Sequence, residues 1–122
     1  MNEGHKAYIP TIGPTTLVCD EDIAWELVEE GIQRKVMTYS EQLMLVKVAF
    51  EAGRVGALHH HPHLQISYVA NGVFEITING VVKTLRQGDA FFVPTDAVHG
   101  AVCVEAGMLV DVFSPMRADF LK

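Results

Sequence analysis

The feature that most constrains this sequence is an alternation that breaks off at a turn signal and then resumes. In Val73-Phe74-Glu75-Ile76-Thr77-Ile78 the residues Phe74, Ile76 and Ile78 fall two apart, and on a strand such residues share one face. Asn79-Gly80 follows, and then a second extended run, Val81–Leu85. Asn-Gly between two strand patterns fits a two-residue turn whose central residues both need positive φ, so it predicts a β-hairpin. Other short apolar runs are Leu43–Phe50, Ala90–Val93, Val98–Val104 and Met108–Phe113, punctuated by Gly53, Gly88-Asp89, Pro94 and Gly107. That rhythm predicts an all-β chain. Leu43–Phe50 is almost continuously apolar and reads as a strand buried on both faces. Asp22–Gly31 is ambiguous at this level, with an Asp that suits a helix N-cap and a Gly that suits a stop.

With 122 residues there is room for one domain and one core. The apolar share of 49% with 20% charged residues excludes a disordered chain. No repeat or low-complexity segment is visible. A formal charge of −6 argues against nucleic acid or an anionic membrane as partner, and means that an anionic substrate needs a local positive site. The segment Met1–Pro10 lacks the apolar stretch of a secretory leader, and no run reaches the length of a membrane span. A soluble, cytoplasmic protein is therefore expected. Cys19 and Cys103, far apart and without a CxxC spacing, are expected to be reduced, buried small hydrophobes.

The densest chemistry lies in Leu58–Gln65, LHHHPHLQ. On a strand His59 and His61 point to one side and His60 to the other, and two imidazoles at that spacing can bind one ion. Gln65 has the same parity, but in a straight strand it would lie roughly 20 Å from His59. A bend is required, and Pro62 supplies one, placing His63 and Leu64 in the turn. His99 arrives from another hairpin, just after the Pro94–Asp96 turn. From the residues alone, a dedicated metal site and an adventitious surface cluster both remain open. His60 and His63 are not expected to be ligands.

At these positions the chain resembles the cupin family. The first cupin motif, G-x5-H-x-H-x3-E-x6-G, is met by Gly53, His59, His61 and Gly72, with Gln65 in place of Glu. The second, G-x5-P-x-G-x2-H-x3-N, is met by Gly88, Pro94 and His99, with Asp96 in place of Gly and Cys103 in place of Asn. The resemblance implies a small double-stranded β-helix, the cupin or jelly-roll barrel, of two packed antiparallel sheets with the Asn79-Gly80 hairpin at an edge. It also implies one divalent metal ion on His59, His61, Gln65 and His99, and it favours strand over helix in Asp22–Gly31. The expected layout is an arm over residues 1–20, a barrel over 21–114 and a tail over 115–122 carrying Arg117. Small cupins commonly pair, so a homodimer is expected, with the arm a candidate for adding a strand across the interface. A mixed N/O ligand set suits zinc, nickel, iron, manganese or copper. Gln65 in place of a carboxylate leaves the full +2 charge on the ion, which strengthens its attraction for a carboxylate substrate.

Met108–Phe113 sets a carboxylate among apolar residues, and an unpaired buried charge is costly. Asp111 and Phe113 share a face, and Arg117 follows the break at Pro115. Two explanations stay open: a structural Asp111–Arg117 pair with Phe113 as core, or an acid/base group, an apolar wall and a carboxylate clamp. The pattern D-x-F-x-P-x-R is similar to the C-terminal signature of small cupins of the pectin-degradation (KdgF) type. That likeness extends over roughly residues 25–121, including the H-x-H-P-H-x-Q run. It implies that the three histidines and Gln65 carry the metal, and that Asp111, Phe113 and Arg117 line the reaction site. The substrate implied is a small carboxylated sugar, a 4,5-unsaturated monouronate released by pectin or alginate lyases, opened to a linear 5-keto-4-deoxyuronate. The rivals are a metal-dependent cupin dioxygenase and a non-catalytic cupin that binds a small acidic ligand.

Overall fold

The computed structural model describes residues 15–121 and is built almost wholly of antiparallel strands. In chain order these are β1 (Glu26–Glu29), β2 (Ile32–Ser40), β3 (Leu43–Phe50), β4 (Val55–His59), β5 (Leu64–Ile78), β6 (Val81–Arg86), β7 (Ala90–Val93) and β8 (His99–Ser114). The architecture is a jelly-roll barrel. No helix among the described residues is long and apolar enough to cross a membrane.

The Asn79-Gly80 turn joins β5 to β6, with Ile78 opposite Val81. Asn79 and Gly80 have φ of 47° and 81°, the positive pair that the hairpin turn demands. Phe74 and Ile76 are buried as the alternation requires, and β6 forms a sheet edge.

The long strands differ from expectation. Val98–Val104 and Met108–Phe113 are halves of one strand, β8, and Val73–Ile78 is the far half of β5. The near half of β5 pairs with the far half of β8 (Leu64↔Ser114, Val69↔Leu109), and the far half of β5 with the near half of β8 (Phe74↔Cys103, Ile78↔His99). Register shifts between Val69 and Phe74 mark the bend. There Gly72, at φ 84°, approaches Gly107 so closely that a Cβ on Gly72 would lie 2.6 Å from the Gly107 Cα. Two glycines let both strands bend at one crossing without breaking their pairing. Glycine punctuation alone does not distinguish such a bend from a chain reversal.

The bend divides the sheet into two halves that share β5 and β8. One half continues through β3, β2 and β1 on one side and β7 on the other; the other half adds β4 and β6. Between them lies a core of Ile32, Phe50, Val69, Phe74, Ile76, Cys103 and Leu109, with Phe50 edge-on to Phe74 at 5.2 Å. A smaller cluster, Met44, Val46 and Phe113, extends this core below the site described next.

Several local expectations are refined. Leu64 opens β5 rather than lying in the turn. β3 buries Met44, Val46 and Phe50, while Leu45, Lys47, Val48 and Ala49 are only half-buried, so one face of this strand is open in part. Within Asp22–Gly31 only Glu26–Glu29 is strand, preceded by a 3-10 turn at Asp20–Asp22. That turn is held by Asp20, whose carboxylate meets Lys47 Nζ at 3.0 Å and the buried Lys35 Nζ at 3.2 Å. Both cysteines are free, but Cys19 is exposed and only Cys103 is in the core. Most of the expected strand-adding arm lies outside the described residues.

Candidate metal centre and reaction pocket

His59 ends β4 and His99 opens β8, and the two are direct partners in the ladder. His61 follows β4, in the connection that Pro62 and His63 bend back into β5. The Asp96 N–H donates to the His61 carbonyl at 2.8 Å, tying the His61 connection to the turn that delivers His99. Asp96 sits at φ 59°, left-handed backbone that explains why glycine suits this motif position. Asn79 completes the arrangement by donating to and accepting from Val98, at 2.7 Å and 2.9 Å. The hairpin tip is thereby fastened to the start of β8.

One nitrogen from each of His59, His61 and His99 lies within 4.8 Å of the others, so three histidines are positioned to bind one metal ion. Their hydrogen bonds decide which nitrogens face inward. His59 Nδ1 lies 2.9 Å from the Ala57 carbonyl, His61 Nδ1 3.0 Å from that of His63, and His99 Nδ1 2.8 Å from that of Ala97. A carbonyl oxygen only accepts, so each Nδ1 carries the proton and each Nε2 presents a lone pair. Backbone carbonyls commonly orient metal-ligating imidazoles in this way. His99 Nε2 is buried and has no protein partner. His61 Nε2 faces Gln65 Oε1 at 3.0 Å, setting lone pair against lone pair, which a cation shared by both relieves. Burial lowers the pKa of His61, and pushes that of His99 down to about 4. Both rings are therefore neutral and ready to ligate at neutral pH. This donor set fits a divalent ion.

The remaining expected residues meet on the inner face where the near half of β5 pairs with the far half of β8. Gln65 lies opposite Phe113, and Ser67 opposite Asp111. Asp111 is buried, and burial pushes its carboxyl up to about 6 against the opposing pull of the Ser67 hydrogen bond and of Arg117. Ser67 Oγ donates to Asp111 Oδ1 at 2.6 Å. His59, Gln65, His99, Asp111, Phe113 and Arg117 all line one cavity of about 280 Å³. That is close to the lower bound of about 300 Å³ for small-molecule pockets. His61 stands beside the cavity, edge-on to Phe113 at 5.8 Å.

The structural Asp111–Arg117 pair does not form. Arg117 instead makes two hydrogen bonds to Asp119, at 3.0 Å and 2.8 Å, and its guanidinium lies over the rings of Phe113 and Phe120 at 5.1 Å and 4.3 Å. His60 is exposed, 3.7 Å from Asp96. His63 accepts a hydrogen bond from His61 Nδ1 through its carbonyl, and its ring stands edge-on to the His61 ring at 5.4 Å.

Three participants escape the sequence reading. Arg34 and Phe120 line the same cavity, with the Arg34 guanidinium 3.9 Å from the Phe120 ring centre; no local pattern marks either. Ser67 was legible in principle, because it shares the inward parity of Gln65 and is polar where a core residue is expected.

Residues 46–113 match the family model described as a cupin domain. The pectin degradation protein KdgF of Dickeya dadantii is 46% identical over 104 residues, covering 84% of this chain and 94% of that protein. The solved structure of KdgF from a Halomonas species superposes with a TM-score of 0.83 at 42% identity, over 85% of this chain and 98% of that one. An RmlC-like cupin from Shewanella frigidimarina gives 0.83 at 43% identity, over 84% and 93%.

Proposed function

The chain belongs to the cupin family, and from that premise we propose that it opens the ring of 4,5-unsaturated monouronates to linear 5-keto-4-deoxyuronates. The observation that carries the proposal is the buried Asp111, with its carboxyl near 6, in one cavity with the histidine donors and Arg117. Its relatedness to KdgF supports a role in pectin breakdown. His59, His61 and His99 with the Gln65 carbonyl are the proposed ligands of one divalent ion. When bound, that ion supplies a Lewis acid that stabilises negative charge developing on substrate oxygen.

The rest falls to the chain's own residues. Asp111 takes the proton of the anomeric hydroxyl at O1. As the C1=O bond forms, the C1–O5 bond breaks and its electron pair leaves on O5 as an enolate. Asp111 then returns the proton to C4, and the C5–O5 group becomes a ketone. Protons and electrons balance, and no oxidant is needed. A carboxyl near 6 suits both directions of this transfer close to neutral pH. Arg117 holds the substrate carboxylate in its planar fork. Its present partner Asp119 is exposed, so water can take over the Asp119 carboxylate when the substrate carboxylate replaces it. Phe113 forms an apolar wall that keeps water from the enolate.

The test is incubation of the metal-loaded protein with an unsaturated monouronate, following loss of the ultraviolet absorbance of its conjugated enol ether. Loss far above the spontaneous rate, without oxygen uptake, is the expected result. Loss no faster than in protein-free buffer overturns the reading, and oxygen consumption points to a dioxygenase instead.

Gln65→Glu gives a second prediction. The variant retains metal, because a carboxylate oxygen replaces the amide oxygen, but it lowers the net charge of the centre from +2 to +1. Binding of the monouronate should weaken at least ~10-fold, about 1.4 kcal/mol. Unchanged binding by calorimetry would remove the electrostatic argument.

A homodimer in the cytoplasm is the proposed assembly and compartment. Two free cysteines support the compartment. Ile66 and Phe92, neighbours on exposed strand faces, support the assembly. A monomer by light scattering at micromolar concentration would contradict it.

A further inference from the structure

Ser67 is fully buried on β5, and both of its side-chain hydrogen bonds go to residues of the site. Its Oγ accepts from Gln65 Nε2 at 2.9 Å and donates to Asp111 Oδ1 at 2.6 Å. A hydroxyl has one proton, and an ionised carboxylate can only accept. The proton therefore goes to Asp111, and toward Gln65 the hydroxyl can act only as an acceptor. Gln65 must answer with its NH2 group, which turns its carbonyl oxygen the other way, to within 3.0 Å of His61 Nε2.

This polarity matters because the two ends of a side-chain amide are nearly identical in size. Shape alone does not choose between them; hydrogen bonding does. In the opposite orientation the group facing the histidines would be NH2, which has no lone pair to offer a cation. We infer that Ser67 is a positioning residue: it reads the acceptor-only character of Asp111 and uses it to hold the carbonyl oxygen of Gln65 toward the metal position. The metal ligand and the proposed proton-transfer group are thus two ends of one hydrogen-bonded chain, Gln65–Ser67–Asp111. The amide needs this device; a carboxylate at position 65 would present oxygen in either orientation. The inference rests on the proposed metal centre. The competing account makes Ser67 only a small residue on a crowded inner face, where alanine would serve equally.

The experiment is titration of the chelator-stripped full chain with Co2+, read by visible d–d absorption. It uses the parent, Ser67→Ala, Gln65→Glu, the double variant and His99→Ala. Ser67→Ala is expected to weaken Co2+ binding 10- to 100-fold, the range seen when a group supporting a metal ligand is lost, and to shift the d–d bands. In the Gln65→Glu background the same substitution is expected to change affinity less than ~2-fold, giving a clear coupling between positions 65 and 67. Melting of the metal-free forms measures any packing cost separately, and such a cost would fall alike in both backgrounds. Parent-like affinity and bands in Ser67→Ala, or an equal loss in both backgrounds, would overturn the role. Failure of the metal centre itself looks different: the parent and His99→Ala would then bind Co2+ equally weakly.

Discussion

Asp111→Asn is expected to lower the ring-opening rate at least ~10²-fold, the usual size of an acid–base contribution, while leaving the metal in place. Asparagine is nearly isosteric and the three histidines are untouched, so the fold and most of the metal affinity survive. The same variant should be more stable than the parent at neutral pH. Burial raises the Asp111 carboxyl from 3.8 to about 6, so between those values the folded protein holds the proton more tightly than the unfolded chain. The stabilisation is complete below pH 4 and is lost as pH rises through 6. At pH 7 to 8 the parent carries the whole cost of a buried charge, of order ~3 kcal/mol, and the metal-free Asn variant escapes it. Its melting temperature should exceed the parent's there, and the gain should vanish near pH 4. Arg117, Ser67, His59 and His99 face Asp111 or share its cavity. Arg117 keeps Asp119 as partner, so no buried cation is stranded by the substitution. An undiminished rate in a folded, metal-loaded Asp111→Asn protein would remove Asp111 from the proposed chemistry. Such a pairing of lost activity with gained stability is what a group kept buried for function produces.

Removing an imidazole should have the largest effect of all. His99→Ala, His59→Ala and His61→Ala are each expected to weaken metal binding by more than ~100-fold, beyond the range for loss of a supporting group. Metal analysis after dialysis should find these variants nearly empty. His60→Ala and His63→Ala should retain parent metal content, because His60 faces exposed Asp96 and His63 contributes through its backbone. Full occupancy in any of the first three would break the ligand set.

The histidine arrangement shows how far local reasoning reaches. The H-x-H spacing and the bend at Pro62 are properties of a few adjacent residues, and so is the Asn-Gly turn. Side-chain parity is equally local: Gln65 and Ser67, like Asp111 and Phe113, share a face because strands alternate. What each face would meet was another matter. Ser67 lies opposite Asp111, 44 residues away in sequence, and that register depends on how two long strands bend together at Gly72 and Gly107.

Sequence by itself determined an all-β chain, the Asn79-Gly80 hairpin and, through the cupin spacings, which side chains to watch. Tertiary structure alone decided that three expected strand segments belong to two long bent strands, and that Arg117 chooses Asp119 over Asp111. It also brought Arg34 and Phe120 into the cavity and gave Ser67 its two partners. The physical reason is range. Backbone dihedrals and side-chain alternation are set within a turn or a strand, whereas partner choice, burial and the pKa of Asp111 arise from packing between segments distant in the chain.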